Sequence, residues 1–229
     1  MRRVAAACFI ALGVINLGGC PGAVTRPVLA VILSVSGSAE WAADAAAPVW
    51  PIEDAAAPGA GSVVRTRSGE LQIGLVPGAL IYLSAETELQ IKELTVTKDG
   101  NDTEDRLRNR VARIRLNRGS VAVLLDSPAR FTVETSQVTI KVPPGGLIRL
   151  TTTPGVTRLT CVRGKIYLEG QTSLASIDAG NTQTWPSGQT PRPAADDGNA
   201  QTDVTEALRA ETQLRQATAR HGSVSPLDR

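Results

Sequence analysis

RVARIRLNRGSVAVLL, residues 110–125, alternates polar and apolar side chains over Arg113–Leu116 and ends in the apolar run Val121–Leu125. Residues two apart on a strand share a face, so Ile114 and Leu116 turn to one side while Arg113 and Arg115 line the other. Gly119 interrupts the pattern just before Val121. Glycine adopts the positive φ that a reversing strand needs, so the stretch reads as two short strands, 111–116 and 121–125, around a glycine turn. Arg106, Arg108 and Arg110 repeat the two-residue spacing upstream, with a phase slip expected at Ala112.

The same device recurs. Pro77-Gly78-Ala79-Leu80-Ile81-Tyr82, Gly145-Gly146-Leu147-Ile148-Arg149-Leu150 and Arg163-Gly164-Lys165-Ile166-Tyr167-Leu168 each set a glycine two residues ahead of an alternating apolar strand. Further short runs lie at 28–40, 63–82, 89–91, 131–133, 138–142 and 157–162, separated by Gly, Pro, Asp and Asn. Aromatics make up only 3% of the chain, so Val, Ile, Leu and Thr must fill the core, a bias toward strands. These runs define an all-β domain over residues 28–185. The glycine motifs are unevenly spaced, which favours a β-sandwich of hairpins or a short irregular β-helix over a regular solenoid.

The flanks differ in composition. Residues 42–61 are rich in Ala, Pro and Gly with no sustained period, and read as a surface loop. Residues 186–202 are Pro, Ser, Gly, Asp and Asn, the composition of a disordered linker. In 203–219, Val204, Ala207, Leu208, Glu211, Leu214 and Thr218 share one helical face, with Asp203 or Thr202 as N-cap, giving a short amphipathic helix before a tail at 220–229.

At the other end, Arg2 and Arg3 precede an apolar run from Val4 to Leu17, the layout of a secretory signal. The run stops short of the roughly 20 apolar residues a membrane span needs. Leu17-Gly18-Gly19-Cys20 resembles the lipobox of bacterial lipoproteins. That resemblance implies removal of residues 1–19, acylation of Cys20, a tether over 20–27 and anchorage through lipid on the periplasmic face of the outer membrane. The alternative is cleavage nearby at Ala23 and a soluble periplasmic or secreted protein. Of the three cysteines, Cys8 would leave with the signal and Cys20 would carry lipid. Cys161 would then have no intramolecular partner, and its apolar strand context reads as a buried small hydrophobe.

Composition and motifs leave little room for catalysis. The only histidine, His221, lies in the expected tail, so neither a histidine-based triad nor a histidine metal site can be built on the domain. No cofactor or metal is expected, and no enzymatic activity. Asp99-Gly100-Asn101-Asp102 offers oxygen ligands but lacks the later glutamate of a calcium loop, and reads as a solvated hairpin end. A net charge of +2 is too mild to argue for nucleic acid. The chemically pointed feature is the set Arg106, Arg108, Arg110, Arg113, Arg115 and Arg118. Arranged along a strand it would grip carboxylates or phosphates of an acidic polysaccharide or a partner protein. A solvated face paired with the acids of 99–105 is the plainer reading.

Residues 35–39 (VSGSA), 61–73 (GSVVRTRSGELQI), 113–121 (RIRLNRGSV) and 157–168 followed by Ile177-Asp178-Ala179-Gly180-Asn181 together resemble the FecR-type periplasmic domain. Gly145-Gly146-Leu147-Ile148-Arg149 stands where many members carry a Gly-Thr-x-Phe strand. The resemblance implies an all-β, non-catalytic envelope module that works through an envelope protein partner. Family regulators place a cytoplasmic domain and a membrane span ahead of the module, and an anti-sigma role by that route is not expected here.

Overall fold

The computed structural model describes residues 23–53, 56–98, 107–169, 175–186 and 190–222. The chain forms β1 (Val24–Pro27), β2 (Val31–Ser36), β3 (Ala39–Ala42), β4 (Trp50–Pro51) and β5 (Val63–Thr66). The long central strands follow as β6 (Glu70–Val76), β7 (Ala79–Leu83), β8 (Glu88–Lys98) and β9 (Leu107–Leu125). Next come β10 (Arg130–Glu134), β11 (Thr139–Val142), β12 (Leu147–Thr153), β13 (Val156–Arg163) and β14 (Lys165–Glu169). The chain closes with β15 (Ser176–Asp178), β16 (Asn181–Trp185), β17 (Arg192–Pro193), a 3-10 turn at Ala194–Asp196 and the helix α1 (Gly198–Gly222).

The 17 strands form one hydrogen-bonded network folded over into two layers. The hinge is β9. Its first part pairs with β8 and, in parallel, with β10; its last part pairs with β7 and β12. The first sheet runs β4-β3-β5-β8-β9-β10-β11-β14-β15, with β1 beside the far end of β8. The second runs β2-β6-β7-β9-β12-β13-β16-β17. Leu89, Ile91, Ile114, Val133 and Ile166 from the first sheet meet Leu71, Ile73, Ile81, Val123 and Leu159 from the second in one core, all fully buried. Of the two expected architectures the sandwich is the one observed, closed by a shared strand.

Gly119 does not reverse the chain as the sequence suggests. It bends β9 and passes it from one sheet to the other, with φ at +91°. A reversal would have to pair 111–116 with 121–125, but β8 and β10 hold the first stretch and β7 and β12 the second. The shared strand is central in both sheets, flanked by β8 and β10 in the first and by β7 and β12 in the second.

The second sheet is covered on both faces. Val121, Val123 and Leu125 point into the sandwich, while Ala122 and Leu124 meet Leu80, Tyr82 and Leu147 under α1. Ala200, Asp203, Ala207, Ala210, Leu214 and Ala217 are the buried residues of the helix. Their alternating three- and four-residue spacing is a helical stripe, and its small alanines let the helix lie close to the sheet. The buried face is turned from the expected one, because Leu208 is exposed and Asp203 is inside.

The helix also starts earlier than 203. Asp197 accepts the backbone N–H groups of Asn199 and Ala200 at 2.9 and 3.2 Å, and so is the N-cap that Thr202 or Asp203 was expected to be. Residues 190–202, expected as disordered linker, are ordered by β17 pairing with β16 and by this cap. The 42–61 segment is likewise tied down: Ile52 is buried and its N–H donates to Ala39 O, and Pro58 O accepts from Ala30. Cys20 and the rest of 1–22, the acidic run 99–105 and the end of the tail from 223 lie outside the described residues.

Candidate functional site

The outer face of the first sheet is the one broad face that no other described element covers. Register places Glu93 opposite Arg113, Arg113 opposite Thr132, Thr132 opposite Lys141 and Lys141 opposite Tyr167. These side chains form one row across β8, β9, β10, β11 and β14. With Arg130 and Glu169 they wall a groove of about 680 Å³. Tyr167 is 39% exposed, so its ring is presented rather than packed away.

The row carries charge of both signs, with further carboxylates beside it. Arg113 lies 3.6 Å from Glu134, and Lys141 lies 3.0 Å from Glu169. Such half-exposed pairs contribute little to stability and separate readily when a partner arrives. The face therefore offers cations and carboxylates in register, with a hydroxyl and an aromatic ring between them.

The expected arginine ladder is divided. Arg113 and Arg115 share this outer face, as the alternation requires. Arg110 is on the opposite face, in phase with the buried Ala112 and Ile114, and its Nη1 donates to Ser127 Oγ at 2.8 Å at the rim of the sandwich. No phase slip occurs at Ala112, since β9 pairs without interruption from Arg110 to Ile114; the extra residue is Lys92, in β8. Arg118 sits at the bend, paired in register with Glu88. Arg106 and the side chain of Arg108 lie outside the described residues.

Glu88 anchors the corner beside Arg118. Burial works to raise its carboxyl pKa, but hydrogen bonds from Arg65 and Asn117, both at 2.9 Å, with the charges of Arg65 and Arg118, hold it below the ordinary value. Cys161 is fully buried in β13. Burial, with Asp178 nearby, pushes its thiol up to about 11, against a smaller opposing pull from a backbone hydrogen bond at Ile166.

Sequence reasoning missed Lys141, Arg130 and Tyr167 as neighbours of Arg113. They come from three other strands, and the parallel pairing of β9 with β10 that aligns them leaves no local signal.

Residues 62–167 match the family model described as FecR protein, so the chain carries a FecR-type domain. FecR proteins are an envelope-associated, regulatory family. No curated protein matches the chain. Two crystal structures of a candidate anti-sigma factor from Parabacteroides distasonis ATCC 8503 are similar at 15% identity. One has a TM-score of 0.40 and covers 56% of this chain and 57% of its own; the other has 0.41 and covers 59% and 65%. The chain thus spans less than two thirds of either. No described helix is long and apolar enough to cross a membrane.

Proposed function

We propose that this chain is a non-catalytic lipoprotein of the bacterial envelope, acylated at Cys20, held at the periplasmic face of the outer membrane, and acting there as a protein-interaction and signalling module. Its contact face is the row Glu93, Arg113, Thr132, Lys141 and Tyr167. The observation that carries the reading is the asymmetry of the sandwich: α1 covers the outer face of the second sheet, while that of the first stands open with charges of both signs around an aromatic ring. Arginine and tyrosine are residue types enriched in protein interfaces, and mixed charge favours a partner of defined pattern.

The test has two parts. Intact mass and membrane fractionation of the wild type beside Cys20→Ala report the anchor: acylated mass and loss of outer-membrane fractionation in the variant are expected. A photo-crosslinking residue at position 167 should trap a discrete envelope protein, and one at the exposed Leu208 on α1 should not. Absence of any adduct at 167 above an unanchored control overturns the interaction reading.

A second reading has support in the cations Arg113, Arg115, Arg130 and Lys141, which could hold an acidic polysaccharide or another polyanion. Glu93, Glu134 and Glu169 are interleaved with them and would have to be displaced or bypassed, so the protein partner is preferred. Salt-sensitive retention on acidic polysaccharide, lost in the Arg113→Ala, Arg115→Ala double variant, would favour the polyanion.

A further inference from the structure

On the other side of the molecule, a second cavity opens between α1 and the strand ends of the second sheet. It measures about 630 Å³, and its walls include Arg149, Arg209, Ser84, Ser120, Tyr82 and Glu206. Arg149 is its unusual member. The residue sits in mid-strand on β12, opposite Ala122, and is only 3% exposed. Its Nη2 donates to Ser84 Oγ at 2.8 Å and to Glu206 Oε2 at 2.6 Å. Nε and Nη1 are buried with no hydrogen-bond partner.

A buried guanidinium with two of its three nitrogens unpaired is costly, because each unmet donor forfeits its hydration without compensation. Helix docking alone does not require it: a hydrophobic residue opposite Ala122 would pack under α1 at lower cost. The wall supplies further donors suited to an anion. Arg209 is 65% exposed at the side chain, within 3.6 Å of Glu70. Tyr82 keeps its phenolic proton far above neutrality, through burial first and then its hydrogen bond with Glu70, so its proton is committed to that carboxylate and it contributes a wall, not a free donor. Ser120 adds a hydroxyl, 2.9 Å from Thr151 Oγ1.

We infer that this cavity is a binding site for a small molecule carrying a carboxylate or phosphate group, with Arg149 and Arg209 as its cationic ligands and Glu206 as an internal competitor. The unpaired nitrogens are closed to solvent while Glu206 holds the guanidinium. Glu206 itself is 48% exposed and tethered through one nitrogen, so it is free to swing into water when an oxyanion arrives. Its departure leaves Arg149, Arg209 and Glu70 around the cavity, a net positive wall, and frees the planar fork of Arg149 for bidentate binding. The volume lies in the range of ordinary small-molecule sites and exceeds what a bare ion fills.

The test is calorimetric titration of the full chain with inorganic phosphate and, separately, with acetate, at constant ionic strength; the two arms distinguish phosphate from carboxylate chemistry. Saturable binding of at least one anion is expected. Arg209→Gln should weaken it roughly threefold and Arg149→Lys about tenfold, while Glu206→Gln should tighten it roughly threefold. The gain in Glu206→Gln separates this reading from a purely structural staple, which predicts a lower melting temperature and no gain in binding. If Arg149→Lys does not fold, the two variants on α1 still decide the matter. Failure of both anions to saturate either wild type or Glu206→Gln, or an affinity unchanged in both α1 variants, overturns the inference.

Discussion

Arg158 and Asp203 are joined by two hydrogen bonds, Nε to Oδ2 at 2.6 Å and Nη2 to Oδ1 at 3.2 Å, and the aspartate is 4% exposed. Thr160 Oγ1 donates to the same Oδ2 at 3.1 Å, so one carboxylate ties α1 to β13 through three donors. Removing one member of such a buried pair strands the other, which typically costs about 3 kcal/mol or more. Asp203→Ala should therefore lower the unfolding free energy by about that amount, read as a lower urea midpoint, and expose α1 to early proteolytic cleavage. A double variant, Asp203→Leu with Arg158→Met, should recover much of the loss, because an apolar pair leaves no buried charge. Equal midpoints for wild type and Asp203→Ala would show that the alanine stripe alone holds the helix.

Further along the helix, Glu211 predicts a pH dependence. Hydrogen bonds from Arg163 at 2.8 and 3.0 Å are the main reason its pKa falls below 4.5; burial opposes them and Arg215 reinforces them. A carboxyl whose folded pKa is depressed contributes stability that is fully present above its unfolded value and is lost as pH falls through the folded one. Protection of the α1 amides from hydrogen exchange should thus hold across neutral pH and decline below about pH 4.5, after correction for intrinsic exchange. Glu211→Gln should remove part of that decline. An identical acid profile in the variant would place the sensitivity elsewhere, with Glu88 the next group to examine.

Cys161 gives the opposite sign. Its folded pKa of about 11 lies above the ordinary 9.0, so the neutral thiol is favoured and the associated stability is kept below pH 9.0 and lost as pH rises toward 11. Only the thiolate is an effective nucleophile, and this one has no access to solvent. Labelling with iodoacetamide at neutral pH should therefore proceed at the rate at which the domain opens, and rise with urea in step with unfolding. Rapid labelling of the native protein would contradict the burial.

Much of this architecture was legible because strand alternation is a local property. The phase of Ile114, Leu116, Arg113 and Arg115 follows from the two-residue alternation alone, and an all-β domain follows from many short runs, which by themselves did not choose between a sandwich and a short β-helix. The helix face was misread for an equally physical reason. A hydrophobic scale favours Leu208 over Asp203 and Ala210, whereas the sheet under α1 presents Arg158 and a surface that small residues fit best. Arg110 was misassigned because placing every arginine on one solvent face requires a slip at Ala112, whereas its long side chain reaches the rim at Ser127 from the inner phase without one. The Arg149 cavity had no sequence signal: a lone arginine between Ile148 and Leu150 is unremarkable until its neighbours across four strands and a helix are assembled.

The hinge at Gly119 yields the sharpest structural prediction. Its φ of +91° is open to glycine and strained for other residues, and a Cβ there would lie 2.4 Å from Thr87 Oγ1 and 2.5 Å from Thr87 Cα. Thr87 has little room to give. It is 1% exposed, and its hydroxyl accepts from Ser120 N–H at 3.0 Å and donates to Ser120 O at 3.1 Å, locking the corner where β9 changes sheets. Gly119→Ala should combine backbone strain with this collision and cost about 3 kcal/mol or more. Gly145→Ala is the matched control, with φ at +79° and nothing within 4 Å of the added carbon, and should cost about 1 kcal/mol from backbone strain alone. Chemical denaturation of both variants checks the difference. Equal destabilisation would mean that the corner relaxes around a methyl group and that positive φ, not the close approach of Thr87, is what requires glycine at the bend.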